Sequence, residues 1–185
     1  MPSIALRQYK IGSLPFAHNF LVLYDDQGKV VAELHGHPAD PTSGLKLEKP
    51  IGRSSDNLGA FENAGMGGLY IPGQHEKILW QGPEGATAKW EAAREALGQI
   101  NDRKLTYNLW GSDLNGPKDW DAPVPPVIAG NSNSVNRTLI DAMGLQLPSM
   151  PTMAPGTENP LLPQNQIDQI RKNYGIPPVP KGGLF

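Results

Sequence analysis

Two histidines, His18 and His35, occupy the ends of one predicted β-hairpin, and imidazole side chains can transfer protons near neutral pH. The runs 21–24 and 30–34 are rich in β-branched and aromatic residues, and the segment 25–28 between them has turn chemistry. A turn centred in that segment predicts that His18 lies opposite His35, although a one-residue bulge would shift the register. Because the ordinary imidazole pKa is about 6.5, the pair could form a general base with an orienting partner.

The segment 131–145 is a second place where chemistry is expected. Val135, Leu139 and Met143 recur at helical spacing, and residues 131–134 supply N-cap candidates. Amide groups and the helix dipole at such an N-terminus stabilise negative charge, which favours an oxygen nucleophile and the oxyanion that it forms.

Ser132 and Ser134 therefore have two interpretations. Either serine can be an N-cap that accepts hydrogen bonds from the first turn of the helix. Either could instead be a nucleophile, with His18 or His35 as its base, if the hairpin lies beside the start of the helix.

These residues resemble the circularly permuted papain-like (permuted NlpC-type) superfamily, which includes deSUMOylating isopeptidase-like proteins and relatives of lecithin:retinol acyltransferase. His18 opens a strand of a hairpin, and much later Tyr-Asn-Leu at 107–109 precedes Asn-Ser-Asn at 131–133. The resemblance covers residues 18–35 and roughly 107–143. In that superfamily the nucleophile is usually a cysteine that follows an asparagine at a helix N-terminus, whereas this chain has Ser132 there.

The resemblance implies a role for each matching residue. Ser132 takes the position of the nucleophile, His18 that of the base, and His35 orients His18. Backbone amides around Ser132 and Asn133 form the oxyanion hole, with help from the Asn131 or Asn133 side chain, and Ser134 is the alternative nucleophile.

The same resemblance predicts an α+β fold, with a small antiparallel sheet packed against helices and long loops rich in glycine and proline. We expect a permuted papain-like catalytic domain over 1–147 and a Pro-rich tail over 148–185 that wraps it. Apart from the hairpin and the 131–145 helix, the patterns predict a helix over 84–101, an extended strand over 104–111, a short helix over 166–174 and long loops over 36–75.

The function implied by the resemblance is that of a hydrolase, a peptidase, amidase or lipase acting on an amide, isopeptide or lipid ester. Its substrate is expected to be a peptide, peptidoglycan or a lipid. Small proteins of this kind also resemble bacterial effector toxins, which pass through a specialised secretion system and have a cognate inhibitor or immunity protein. Serine in place of cysteine leaves an alternative, a catalytically inactive papain-like interaction module.

Composition excludes several other classes of protein. The 185 residues suit one domain, and the formal net charge of -2 gives no basis for nucleic-acid binding. The chain has no cysteine, which removes disulfides and thiolate chemistry. It shows neither a signal-peptide pattern nor an apolar stretch that could form a transmembrane segment, so we expect synthesis in the cytoplasm without a cleavable signal.

The His-Gly-His sequence at 35–37 places two imidazoles on one strand face, where they could act as metal ligands. His35, His37 and His75 with Asp40 are the candidate ligands. No third ligand has a fixed spacing from the pair, so the sequence predicts no metal site and no cofactor.

Overall fold

The computed structural model describes residues 1–49, 51–65, 71–109 and 129–178. Its strands are β1 (Ser3–Lys10), β2 (Ala17–Tyr24), β3 (Val30–Ala39), β4 (Asn57–Ala64), β5 (His75–Gln81), β6 (Thr106–Tyr107) and β7 (Ala129–Gly130). Its helices are α1 (Ala86–Asp102), α2 (Ser132–Ala142) and α3 (Gln164–Asn173). The predicted α+β class is confirmed.

All seven of these strands form one sheet in the order β5-β1-β2-β3-β4-β6-β7. Neighbouring strands are antiparallel except β6 and β7, which are parallel. Helices α1 and α2 pack against one face, where Leu21 and Leu34 join the main core, and α3 packs against these two helices. Phe20 and Val22 point to the opposite face and belong to a second, smaller apolar cluster. This alternation decides which polar side chains can meet.

Helix predictions agree with the structure to within a few residues, because α1 and α2 carry long apolar stripes and the short α3 buries Ile167 and Ile170 at helical spacing. The loop prediction for 36–75 is wrong in two places. Strand β3 continues to Ala39, and β4 spans Asn57–Ala64. Strand β4 pairs with β3 from Ala32↔Ala64 to Ala39↔Asn57, so tertiary pairing makes a strand of a segment that contains glycine, asparagine and glutamate. The predicted strand over 104–111 is reduced to Thr106–Tyr107, and residues 110 and 111 lie outside the described ranges.

The predicted register of the hairpin is also wrong. Val22 pairs with Glu33 and Leu21 with Leu34, and this register places His18 across from His37 rather than from His35. A wider turn, closed by Asp25, and an irregularity between Leu23 and Tyr24 account for the offset of two residues. An even offset leaves every side chain on its predicted face.

Strands β2 and β3 stop pairing beyond Leu21 and Leu34, and the start of α2 lies at this opening. Asn133 joins the helix to the free edge of β2: its Oδ1 accepts a hydrogen bond from the backbone N of Asn19 at 2.9 Å, and its Nδ2 donates to the carbonyl of Ala17 at 3.1 Å. The first turn of α2 therefore has a fixed place beside the sheet.

The described part of the predicted tail, 148–178, contacts the rest of the chain at several points. The backbone N of Ala17 donates to the Met153 carbonyl, Leu161 lies in the main core, and α3 packs against α1 and α2. The proposed boundary at 147 and 148 stays a prediction, and residues 179–185 lie outside the described ranges. None of the described helices has both the length and the apolar character needed to cross a membrane.

Candidate functional site

Three histidines meet on the sheet face that points away from the helices. The ring centroids of His18 and His37 are 5.4 Å apart, those of His35 and His37 are 5.0 Å apart, and those of His18 and His35 are 6.1 Å apart. We call His18, His35 and His37 the histidine cluster. Their exposed fractions are only 4%, 0% and 6%, so the three imidazoles are almost completely removed from solvent.

Strand geometry explains why these rings share a face. A Cβ atom added at Gly36 would lie 2.7 Å from the Cα of Ser132, so this position of β3 faces α2. Successive side chains of a strand alternate, and His35 and His37 therefore point away from the helix. His18 lies on the same side as Phe20, whose ring is stacked at 6.3 Å from it.

The nitrogen atoms of the cluster are poorly satisfied. Nε2 of His18, Nδ1 of His35 and both ring nitrogens of His37 are buried and have no hydrogen-bond partner among the described residues. A buried polar atom without a partner costs about 1–3 kcal/mol of stability. Without a ligand the cluster therefore destabilises the folded protein, and a ligand bound to these lone pairs would remove that destabilisation.

Burial keeps the cluster neutral. It is the main cause that lowers the pKa of His18 well below its ordinary value, that of His35 to about 3 and that of His37 to about 4. The neighbouring imidazoles and the ammonium group of Lys46 also lower these pKa values. A contact of the Lys49 backbone with His37, which falls short of hydrogen-bond geometry, acts in the opposite direction on the pKa of His37. Neutral imidazole is the form that binds metal ions.

His35 has one orienting partner. The side-chain nitrogen of Asn63, on the neighbouring strand β4, lies 3.0 Å from Nε2 of His35. Amide nitrogen and oxygen exchange places when the side chain is flipped. With its oxygen toward the ring, Asn63 accepts a hydrogen bond from Nε2–H and leaves the lone pair of Nδ1 available to a ligand.

The arrangement can hold a metal ion. Each histidine offers one ligand nitrogen, and these three atoms lie within 4.8 Å of one another. Tetrahedral zinc with bonds of about 2.0–2.1 Å needs nitrogen atoms about 3.3 Å apart. The ligand nitrogens must therefore draw together by up to about 1.5 Å to reach this geometry.

The structure does not form the predicted pair of Ser132 and His18. Ser132 is buried at the start of α2, on the opposite side of β3 from the cluster, and its side chain lies beside that of Tyr107. Among the hydrogen bonds of the described residues, none joins Ser132 to a histidine. The reason is the alternation of β3, which turns Gly36 toward the helix and both of its neighbouring histidines away.

The Asn133 amide and both asparagine side chains that were predicted to form an oxyanion hole are already engaged. Asn131 is the N-cap of α2, and its Oδ1 accepts from the backbone N of Asn133 and of Ser134 at 2.9 and 3.0 Å. Its Nδ2 donates to the Leu109 and Pro155 carbonyls, and Nδ2 of Asn133 also donates to the latter carbonyl. Both asparagines therefore fix loops to the helix instead of pointing free donors at a ligand.

Ser134, the alternative nucleophile, is fully buried. Its hydroxyl donates to the Gly156 carbonyl at 3.0 Å, which ties the tail to the helix. Helix α2 does begin with a side-chain N-cap, but the capping residue is Asn131 and neither of the two serines.

The structure brings together only two of the four candidate ligands that the sequence offered. His35 and His37 lie together, as the His-Gly-His spacing indicates, but His75 is exposed on β5 and Asp40 is a half-buried turn residue that accepts hydrogen bonds from the backbone N–H groups of 42 and 43. His18 takes their place. The predicted hairpin already placed His18 on the same face as His35. Combined with the His-Gly-His spacing, that placement could have identified the three-histidine cluster.

Comparison with known proteins gives no assignment, because this chain matches no family model, no curated protein and no solved structure. The geometry of the site is the basis for a function.

Proposed function

We propose that this protein is a metal-dependent hydrolase that binds a divalent transition metal ion, zinc above all, through His18, His35 and His37. The observation that supports the proposal is the convergence of three buried, neutral imidazoles whose ligand nitrogens lie within 4.8 Å and lack other partners. Imidazole nitrogen is a preferred ligand of zinc.

The number of ligands favours catalysis over a structural role. Structural zinc sites have four protein ligands, whereas catalytic sites have three and keep an open position. The three histidines are the only ligand group of this kind in the described part of the chain. A metal ion with an open position supplies Lewis-acid chemistry, by which an acyl or phosphoryl oxygen is polarised or water is activated for hydrolysis.

Metal titration of the full-length protein tests the proposal. After dialysis against a chelator, zinc affinity is measured by competition with a chromophoric chelator, for the native chain and for His37→Gln. The matched control is His75→Gln, which changes an exposed histidine outside the cluster. We expect one equivalent of tightly bound zinc in the native and His75→Gln proteins, and a loss of affinity of at least 100-fold in His37→Gln. Equal affinity in all three proteins, or no binding at all, would overturn the proposal.

A serine-dependent acyl hydrolase of the papain-like type is the second candidate. One observation favours it: the start of α2, where Ser132 lies, meets the opening between β2 and β3. Ser132 also lines a narrow pocket with Tyr107.

The two candidates give opposite results with a fluorophosphonate probe and intact-mass analysis. A serine enzyme gives one adduct, which Ser132→Ala and His18→Ala abolish and a chelator leaves unchanged. The metal-dependent enzyme gives no such adduct, and its zinc affinity is the same in Ser132→Ala as in the native protein.

A further inference from the structure

A lysine is held beside the histidine cluster by the turn that follows β3. Asp40 accepts hydrogen bonds from two backbone N–H groups of this turn, and the chain returns so that Lys46 forms an antiparallel bridge with Ala39. Residues that are opposite each other in such a bridge point to the same face. Ala39 shares the face of His37, two residues earlier, so Lys46 extends from the same side of the sheet as the imidazoles.

Lys46 lies on the same face of the sheet as the histidine cluster, opposite Ala39, and its ammonium group has no acidic partner among the described residues. Among the ion pairs of the described residues, none includes Lys46, whereas nearby Lys49 pairs with Asp56 at 2.6 Å. Lys46 is partly exposed, whereas the three imidazoles are buried.

We infer that the open position of the histidine site takes an anionic oxygen group, a carboxylate or a phosphate, and that Lys46 pairs with it. This inference depends on the proposed metal site. A lone cation beside three neutral ligands repels a metal ion, but an anion held between them is attracted by both. Ammonium and oxyanion also form a short, charge-assisted hydrogen bond. The position of Lys46 therefore selects for anionic substrates over neutral ones of the same shape.

Cobalt spectroscopy of the full chain tests the role of Lys46. Co²⁺ replaces zinc, its visible spectrum reports the ligand in the open position, and the protein is titrated separately with acetate, with inorganic phosphate and with neutral imidazole. The variants are Lys46→Gln, which removes the charge, and Lys46→Arg, which keeps it. Lys77→Gln is the control, because it removes the charge of an exposed lysine on β5.

In Lys46→Gln we expect acetate or phosphate to bind about 5- to 20-fold more weakly, with imidazole affinity unchanged and Co²⁺ affinity equal or higher. Lys46→Arg and Lys77→Gln should behave like the native protein. The anion that shows the larger loss identifies the substrate class. If Co²⁺ binds but anion affinity is the same in Lys46→Gln, the inference is wrong and the metal site stands. If no Co²⁺ binds to the native chain, the proposed function itself fails.

Discussion

Asn63 is the side chain on β4 that contacts the ring of His35. Its amide lies 3.0 Å from Nε2, and with the amide oxygen toward the ring, Nδ1, which has no partner among the described residues, would be the ligand atom of the proposed metal site. Groups that hold a ligating histidine through its second nitrogen fix both its ring orientation and its tautomer. In the proposed site, the Asn63 amide would therefore fix the orientation and tautomer of the His35 ring through the nitrogen that does not bind the metal ion.

Substitution of Asn63 tests this role. Asn63→Ala should lower zinc affinity about 10- to 100-fold, since the ring loses its acceptor at Nε2–H. Asn63→Asp keeps an acceptor oxygen and should retain or raise the affinity. Competition with a chromophoric chelator measures both. An alanine variant with native affinity would show that the amide does not position His35.

Strand β3 separates the histidine cluster from α2 because its side chains alternate between the two faces of the sheet. Gly36 faces α2, and a Cβ atom there would lie 2.7 Å from both the Cα of Ser132 and a methyl carbon of Val135. Real Cβ atoms do not approach backbone so closely, so the strand or the helix would have to move. Glycine at this position allows the helix N-terminus to lie directly on the strand between the two histidines.

Gly36→Ala should lower the free energy of unfolding by about 1–3 kcal/mol. Gly98→Ala is the matched control, because Gly98 lies within α1 and has open space around its Cα. That control should raise stability by about 0.5–1 kcal/mol through helix propensity. Urea denaturation measures both changes. If both alanine variants were stabilised, the packing between β3 and α2 would be looser than the structure indicates.

Burial of the neutral histidine cluster makes the stability of the whole molecule depend on pH. The unfolded chain binds protons at its histidines below a pKa of about 6.5. In the folded chain burial lowers the pKa of His37 to about 4 and that of His35 to about 3, so these rings stay neutral. Below about pH 6.5 the unfolded state therefore binds more protons, and stability falls as the pH falls.

Between pH 6.5 and 4.5, the free energy of unfolding of the metal-free protein should fall by up to about 1.4 kcal/mol per pH unit for each buried histidine. Urea unfolding at several pH values measures the slope. His37→Gln should reduce the slope by roughly one histidine's share, and His75→Gln, on the exposed strand β5, should leave it unchanged. A native slope near zero would mean that the cluster is solvated or already protonated when folded.

The sequence by itself determined the local features of this protein. Apolar stripes specified α1 and α2 within a few residues, and the His-Gly-His spacing placed His35 and His37 on one strand face, because periodicity is a property of neighbouring residues. Even the wrong register of the hairpin kept His18 on that face, since the error was an even number of residues.

Only the tertiary structure decided which of these residues meet. The turn around Asp25 set the register of β2 and β3, which brought His18 to His37. Apolar side chains on the other face drew α2 to the opposite side, so Ser132 was separated from the imidazoles that sequence spacing had assigned to it. The alternation of side chains along a strand determines which face each residue occupies. Burial of the apolar core then determines which helix covers that face.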